Sequence, residues 1–278
     1  MIRSYLTNWW YRTKINRTFS SWEELLHGVR QGAVLRPLLF NIYFNDLFFI
    51  VGETDATNYE DDTTFHACDN NLSNLIRRLE HDASISIEWF ENNYMKLNKE
   101  KCHFLISGRK HEHLWVNVGG NQICESNTEK IIGVNIDANV KFDSHVKTIL
   151  NNAGRKLSAL SRMSKVLNFS KLRILIKSFF ESQFAYCPLV WMCHSRILNN
   201  RINKLHERAL RILYKDYLTT FEDLLIKDQS VTVHQHNIQM LAIEMYKVKN
   251  NILPCALLDF VSIKDKKETP GGITSCAR

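Results

Sequence analysis

The stretch Asn58–Cys68, NYEDDTTFHAC, reads as a strand, a tight turn and a second strand, with Asp61 and Asp62 at the turn. Two readings of the aspartates stand side by side. Asp is common in turns because its side chain bonds to nearby backbone, so the pair fits an ordinary polar hairpin tip. A hairpin tip also holds carboxylates rigid and exposed, which suits cation ligands. Two-metal phosphoryl transfer needs carboxylates that converge on two cations about 3.5–4 Å apart. Glu60 makes three carboxylates in a row. Strand alternation would place Tyr59 and Asp61 on one face and turn Glu60 away from Asp61.

Upstream, GVRQGAVLRPLLF (Gly28–Phe40) sets two glycines around Arg30 and Gln31 and then opens a helix. Gly28 and Gly32 allow positive φ or close backbone approach. Gln31 is placed to contact a base or sugar, and the helix N-terminus that follows favours phosphate. The plainer reading is a glycine turn feeding a core helix, with Pro37 in its first turn. Pro37–Ile50 is expected to be a buried helix.

Downstream, Asn70–Asn93 carries Leu72, Leu75, Ile76, Leu79, Ala83, Ile87 and Phe90 on one helical stripe, with Asp69 or Asn70 as its cap. Phe104–Ile106 reads as a short strand. Trp115–Val118 and Asn121–Cys124 flank Gly119-Gly120, a two-residue hairpin signal. Ile131–Ile136 reads as one further strand. From about Asn139 the pattern is almost wholly helical. Its first helix is marked by Val146, Ile149, Leu150, Ala153, Leu157, Leu160 and Met163. A second is capped by Ser170, a third covers Leu198–Tyr214, a fourth follows Thr220, and a fifth spans Thr232–Asn250. The reading is α+β: a mixed segment over 1–137, a basic helical domain over 138–262 and a disordered tail over 263–278.

Composition narrows the function classes. The seven cysteines are scattered, odd in number and form no C-x-x-C pair, which fits reduced thiols inside a cell, in nucleus or cytoplasm. The most apolar stretch, Leu38–Val51, carries Asn41, Asn45 and Asp46, so no membrane span is expected. The net charge of +7 is uneven: residues 141–217 hold 15 Lys/Arg against 4 Asp/Glu, a net +11. Such a block fits either a solvated helical surface or a nucleic-acid grip. Arg155, Lys156 and Arg162 lie on its first helix. Histidine pairs at His111/His113 (with Glu112 between) and His234/His236 lack the companions or the spacing of a metal site. Trp9-Trp10 with Arg12, Lys14 and Arg17 fits a single-strand grip or exposed former core equally well.

Taken together, the Gly-x-x-Gln-Gly turn and helix, the Tyr-x-Asp-Asp hairpin about thirty residues later and the amphipathic helix after it resemble the palm of reverse transcriptases, above all those of LINE-type (non-LTR) retrotransposons. MKLNKEKCHFLISG (95–108), KIIGVNID (130–137), AGRKLSALSRM, FFESQFAYCPLVW and NNRINKLHERALRILYKD extend the resemblance to about Val248. It implies a partial polymerase palm, an antiparallel sheet with helices, followed by an all-helical, thumb-like C-terminal domain. It implies RNA-directed DNA polymerase activity with two Mg²⁺, an RNA template, a DNA primer and dNTPs. Asp61 and Asp62 would be catalytic metal ligands. Tyr59 would pack near the primer terminus, Gln31 and Gly32 would line template and nucleotide, and Lys99 or Lys101 would assist phosphate departure. Gly133 resembles a glycine near the primer grip.

The sequence departs from that pattern at Arg30, Ala33, Arg36 and Glu60, where Pro, Ser, Gly and a small residue are usual. The family's first acidic strand is also not seen before Gly28, where Glu23 and Glu24 are the only acids. The expectation is a fragment shortened at its N-terminus and catalytically impaired by loss of the first metal-binding carboxylate. The alternatives are a non-catalytic nucleic-acid-binding protein or a transposon relic. Association with a complete polymerase copy is left open.

Overall fold

A computed structural model describes residues 2–25, 28, 32–108 and 113–252 of the 278-residue chain. The reading of 263–278 as a tail lies outside the described residues. The chain divides into two compact units, Met1–Asn127 and Thr128–Arg278.

The first unit opens with helix α1 (Ile2–Leu6). Two small antiparallel pairs follow, β1 (Trp10–Tyr11) with β4 (Glu23–Glu24), and β2 (Lys14–Ile15) with β3 (Thr18–Phe19). Arg12 lies over the rings of Phe19 and Trp22, 4.0 and 4.6 Å from their centroids, and Lys14 lies 5.1 Å over Phe19. Those cations are therefore already occupied by ring faces of their own segment.

The expected long buried helix is instead two helices, α2 (Arg36–Phe44) and α3 (Leu47–Ile50). Only Phe44 and Leu47 on them are buried, while Leu38, Ile42 and Phe49 are exposed. The apolar pattern was sufficient to form helix, but no described neighbour covers its other face. Phe44, Leu47 and Val51 form a small core that also engages Phe40, Ala56, Phe65, Trp89, Phe90 and Met95. Phe44 meets the Trp89 ring edge-on at 5.4 Å. Strands β5 (Asp55–Tyr59) and β6 (Asp62–His66) make the expected hairpin.

Helix α4 (Leu72–Asn92) follows. Its cap is Asn71, whose side chain accepts from the amides of Ser73 and Asn74, rather than Asp69 or Asn70. Asp69 lies two residues earlier and accepts from the Asn71 amide. A 3₁₀ turn covers Lys99–Lys101. The strand expected at Phe104–Ile106 reduces to a single parallel bridge, Phe104 to Glu125. Strands β7 (Trp115–Val118) and β8 (Asn121–Cys124) pair across Gly119 and Gly120, whose φ values are +57° and +82°. That double left-handed turn is what glycine permits at low cost.

The second unit starts at Thr128 and takes in residues that the sequence reading groups with the first. Ile131–Ile136 is not one strand. Strands β9 (Thr128–Ile131) and β10 (Val134–Asp137) form a hairpin about Ile132 and Gly133, at φ +44° and +82°. A Cβ on Gly133 would meet the Tyr186 ring at 3.2 Å, and the Tyr186 hydroxyl donates to the Ile132 carbonyl at 2.6 Å. The packed tyrosine holds Ile132 in a conformation that a β-branched residue resists.

Asp137 ends that hairpin and accepts from the amides of Asn139, Lys141 and Phe142, which launches α5 (Asp143–Met163). The predicted stripe Val146, Ile149, Leu150, Ala153, Leu157 and Leu160 is buried, and Met163 is not. Asn168, not Ser170, caps α6 (Phe169–Leu175). A π turn (Ile176–Phe180), a 3₁₀ turn (Glu181–Phe184) and α7 (Pro188–Trp191) continue the chain. Helix α8 (Arg196–Tyr214) packs along α5 and closes a core containing Leu172, Ile176, Phe180, Trp191, Ile202 and Ala209. Helix α9 (Phe221–Asp228) is tied back by Asp228, which accepts from Arg173 at 3.1 Å and from the Tyr214 hydroxyl at 2.8 Å. Helix α10 (Val233–Lys249) begins with a Thr232–Gln235 capping box. Among the described residues no helix is long and apolar enough to cross a membrane.

Candidate active site

The hairpin's two faces differ. Ala56 and Phe65 form a cross-strand pair on the face that packs against Phe44, Leu47 and Val51. The opposite face carries Asp55 with His66, Thr57 with Thr64, and Tyr59 with Asp62. On that face the Thr57 hydroxyl lies 2.8 Å from His66 Nε2.

Glu60 and Asp61 are the two turn residues between the paired Tyr59 and Asp62. Strand alternation therefore does not run through the acidic stretch, which corrects the sequence reading of its faces. Tyr59 shares a face with Asp62, its direct partner, and not with Asp61. Glu60 adopts φ +56°. That left-handed conformation costs a side-chain-bearing residue about 1–2 kcal/mol. Tyr59, Glu60, Asp61 and Asp62 are all exposed.

The hairpin is positioned from beneath by a residue that the sequence reading missed. Asp82 on α4 is fully buried, and its Oδ2 accepts from the amides of Glu53 (3.0 Å) and Thr54 (2.7 Å) and from the Thr54 hydroxyl (2.8 Å). Glu53 and Thr54 lead directly into Asp55, the first residue of β5. Burial alone would raise the Asp82 pKa. The bonds from Thr54, His81 and Glu53 outweigh that and hold it below the usual carboxylate value. Arg78 adds a bond from Nε to the Glu53 carbonyl at 2.7 Å, and Arg77 pairs with the Glu53 carboxylate at 3.0 Å. The signal was present in the sequence: Asp82 and Ser86 fall inside the apolar stripe of α4, where a polar side chain needs a buried partner.

The other expected site residues are dispersed. Gly32 has φ +77°, consistent with the glycine turn, while Gln31 lies outside the described residues. The Lys99 ammonium donates to the Gly119 carbonyl at 2.6 Å and so caps the turn between β7 and β8. Lys101 is exposed at the end of the same 3₁₀ turn. In the second unit, Arg155 and Arg162 are seven residues apart on one stripe of α5, and Lys156 is rotated off it. Arg162 lines a mostly apolar recess with Ala159, Met163, Val166 and Leu167. His111 and Glu112 lie outside the described residues. His234 and His236 sit two apart on α10, where their side chains diverge.

Among the described residues no three His, Cys, Asp or Glu side chains come together as metal ligands. Glu23 and Glu24, paired in β4, do not join the hairpin acids. Asp61 and Asp62 can present oxygen ligands to a hard divalent cation. By themselves they do not form the cage that two cations need.

The segment that matches known proteins contains this hairpin. Residues 1–136 match the family described as reverse transcriptase (RNA-dependent DNA polymerase). Over these residues, just under half of its length, the chain is similar to that family. Three relatives come from Drosophila melanogaster. One is the RNA-directed DNA polymerase from mobile element jockey, 24% identical over 222 residues, covering 76% of this chain and 24% of that protein. Another is the probable RNA-directed DNA polymerase from transposon X-element, 24% identical over 230 residues, 77% of this chain and 24% of its own. The third, from transposon BS, is 21% identical over 228 residues, 77% of this chain and 25% of its own. The chain thus spans about a quarter of the length of these relatives. No solved structure matches it. The mixed helices and small antiparallel pairs agree with a reverse-transcriptase segment of α+β class.

Proposed function

We propose that the hairpin of residues 55–66 is the active-site hairpin of an RNA-directed DNA polymerase derived from a non-LTR retrotransposon, with Asp61 and Asp62 as its metal-binding acids. The observation that supports this is the pairing of a two-residue acidic turn with a family match over residues 1–136. The ancestral reaction is template-directed addition of deoxynucleotides to a primer 3′ end on an RNA template, with Mg²⁺. Tyr59, on the face of Asp62, would border the primer terminus. Gln31 and Gly32 would line template and nucleotide, and Lys101 remains a candidate for phosphate contact.

This chain on its own extends primers poorly or not at all. Metal positioning is most of what a protein contributes to phosphoryl transfer. Glu60 shares the hairpin tip with Asp61 and Asp62, and among the described residues no three such side chains are arranged to hold a metal ion. Primer extension on a primed RNA template, with Mg²⁺ or Mn²⁺, tests the reading. Extension no greater than that of Asp61→Ala is expected. Extension that Asp61→Ala abolishes would overturn the impairment. A second reading, a nucleic-acid-binding protein without catalysis, is favoured by the excess of positive charge over residues 141–217.

A further inference from the structure

Helix α10 reverses the usual amphipathic arrangement. Toward its own unit, where it packs against α7 and α8, it buries Asn237 completely, and neither polar atom of that side chain has a partner among the described residues. Toward solvent it exposes Ile238, Leu241, Ala242, Ile243, Met245 and Tyr246. A surface helix ordinarily turns charged and polar residues outward, and a helix that is apolar all round is a buried one. From Ile238 to Tyr246 the exposed residues carry no charge, since Glu244 is half-buried and pairs with Lys247 at 2.7 Å. Lys249 is exposed at the C-terminal end of the same arc. Ile238, Leu241, Met245 and Val248 follow one another at spacings of three, four and three residues, the pattern of a helix that pairs with another helix.

We propose that this face of α10 pairs with α10 of a second copy of the chain, antiparallel about a two-fold axis. An uncharged apolar seam is complementary to itself, which an isologous contact requires. Lys249 decides the orientation. A parallel pair would set the two Lys249 side chains together at one end of the seam, where like charges repel. With the two-fold level with Ile243, Leu241 of one copy faces Met245 of the other and Ile238 faces Val248. The two Lys249 residues then lie about 18 Å apart along the pair, at 1.5 Å of rise per residue. The helix dipoles also oppose one another in that orientation. A single helix face about 25 Å long buries less than the roughly 800 Å² per partner of a standard stable interface, so the pair is reversible and micromolar. The contact lies wholly in the second unit and stands whether or not the hairpin is catalytic.

The test is sedimentation velocity on the full chain, freed of nucleic acid, across about 1–100 μM. The chain should pass from monomer to dimer over that range. Leu241→Lys and Met245→Glu, both at exposed positions, should each weaken self-association at least about tenfold and leave the circular dichroism melt of the monomer unchanged. Mixed in equal amounts, the two variants should dimerise again, because antiparallel pairing sets the introduced cation against the introduced anion. In a parallel pair position 241 would face position 241, and mixing would restore nothing. Asp61→Ala should dimerise as the parent chain does, which separates this contact from the hairpin. A parent chain that stays monomeric throughout the range would overturn the proposal. So would single variants that mixing does not rescue. Lower melting temperatures in both variants, with no dimer in the parent, would assign the face to the chain's own residues after Ile252 and overturn it equally.

Discussion

Replacing Asp82 by alanine removes the carboxylate that holds the entry to the acidic hairpin. Three donors converge on its Oδ2 at 2.7–3.0 Å: the Glu53 and Thr54 amides and the Thr54 hydroxyl. Hydrogen bonds to a charged group contribute about 1.5–3 kcal/mol each, and stranded buried donors cost about 1–3 kcal/mol each. The desolvation cost that the buried carboxylate carries in the native state is recovered on its removal, so the three do not simply add. A net loss of about 3 kcal/mol is expected. With a urea m-value of about 2 kcal/mol/M, the unfolding midpoint of the first unit should fall by about 1.5 M. Asp82→Asn keeps one acceptor oxygen and should lose about half as much. Hydrogen exchange read by mass spectrometry localises the effect, because protection at Glu53 and Thr54 should fall before that of α4. The pH dependence follows from the lowered pKa of Asp82. A carboxylate depressed in the folded state stabilises above its unfolded value of about 3.9 and loses that contribution as pH falls through the folded value. Asp82→Ala should therefore flatten the acid limb of the stability profile. A loss under about 1 kcal/mol, with Thr54 protection unchanged, would refute the anchoring role.

Four further outcomes are expected. Glu60→Gly relieves a side chain held at φ +56° and should stabilise the first unit by about 0.5–1 kcal/mol in chemical denaturation. Asp61→Ala removes one of three consecutive exposed acids and should leave stability within about 0.5 kcal/mol, by the same assay. Leu157→Ala empties a fully buried position on α5 and should cost the second unit about 2–5 kcal/mol, seen as a lower melting temperature. His145 and His206 are both buried with pKa values lowered chiefly by that burial. Their neutral forms are fully compatible with the fold above about pH 6.5, and the stability is lost as pH falls through the lowered values. Circular dichroism melts of the second unit should therefore drop as pH falls below about 6.5, and His206→Gln should reduce the drop.

Those expectations depend on features that were unequally visible in the sequence. The Gly119-Gly120 hairpin was legible because two glycines at a two-residue turn leave few alternatives. The Ile132-Gly133 turn was not, because β-branched residues on both sides imitate a continuous strand, and the Tyr186 contacts that hold Ile132 at positive φ come from a distant part of the chain. Helix α5 was legible almost residue by residue, since its stripe meets a partner helix that buries it. In α2 the same kind of pattern indicated helix correctly and burial wrongly. Periodicity reports what a helix can bury, and the described neighbours cover only Phe44 and its surroundings. The acidic turn itself was legible as a turn, but a one-residue question of which acids occupy it decides every face. That register is set by the pairing of Tyr59 with Asp62.

The hairpin and its support divide the work between residues of opposite energetic character. Ala56, Phe65 and the buried Asp82 hold the hairpin through packing and hydrogen bonds. Glu60, Asp61 and Asp62 contribute nothing comparable: they are exposed, they repel one another, and Glu60 occupies an unfavourable backbone conformation. A sequence shaped only by folding would favour glycine or asparagine at that turn. Residues that oppose stability locally while the surrounding structure over-determines their position mark a functional site more than a structural one. For Asp61 and Asp62 that argument supports the role proposed above. Glu60 is the exception. It has the cost of such a residue, and no described contact offsets it.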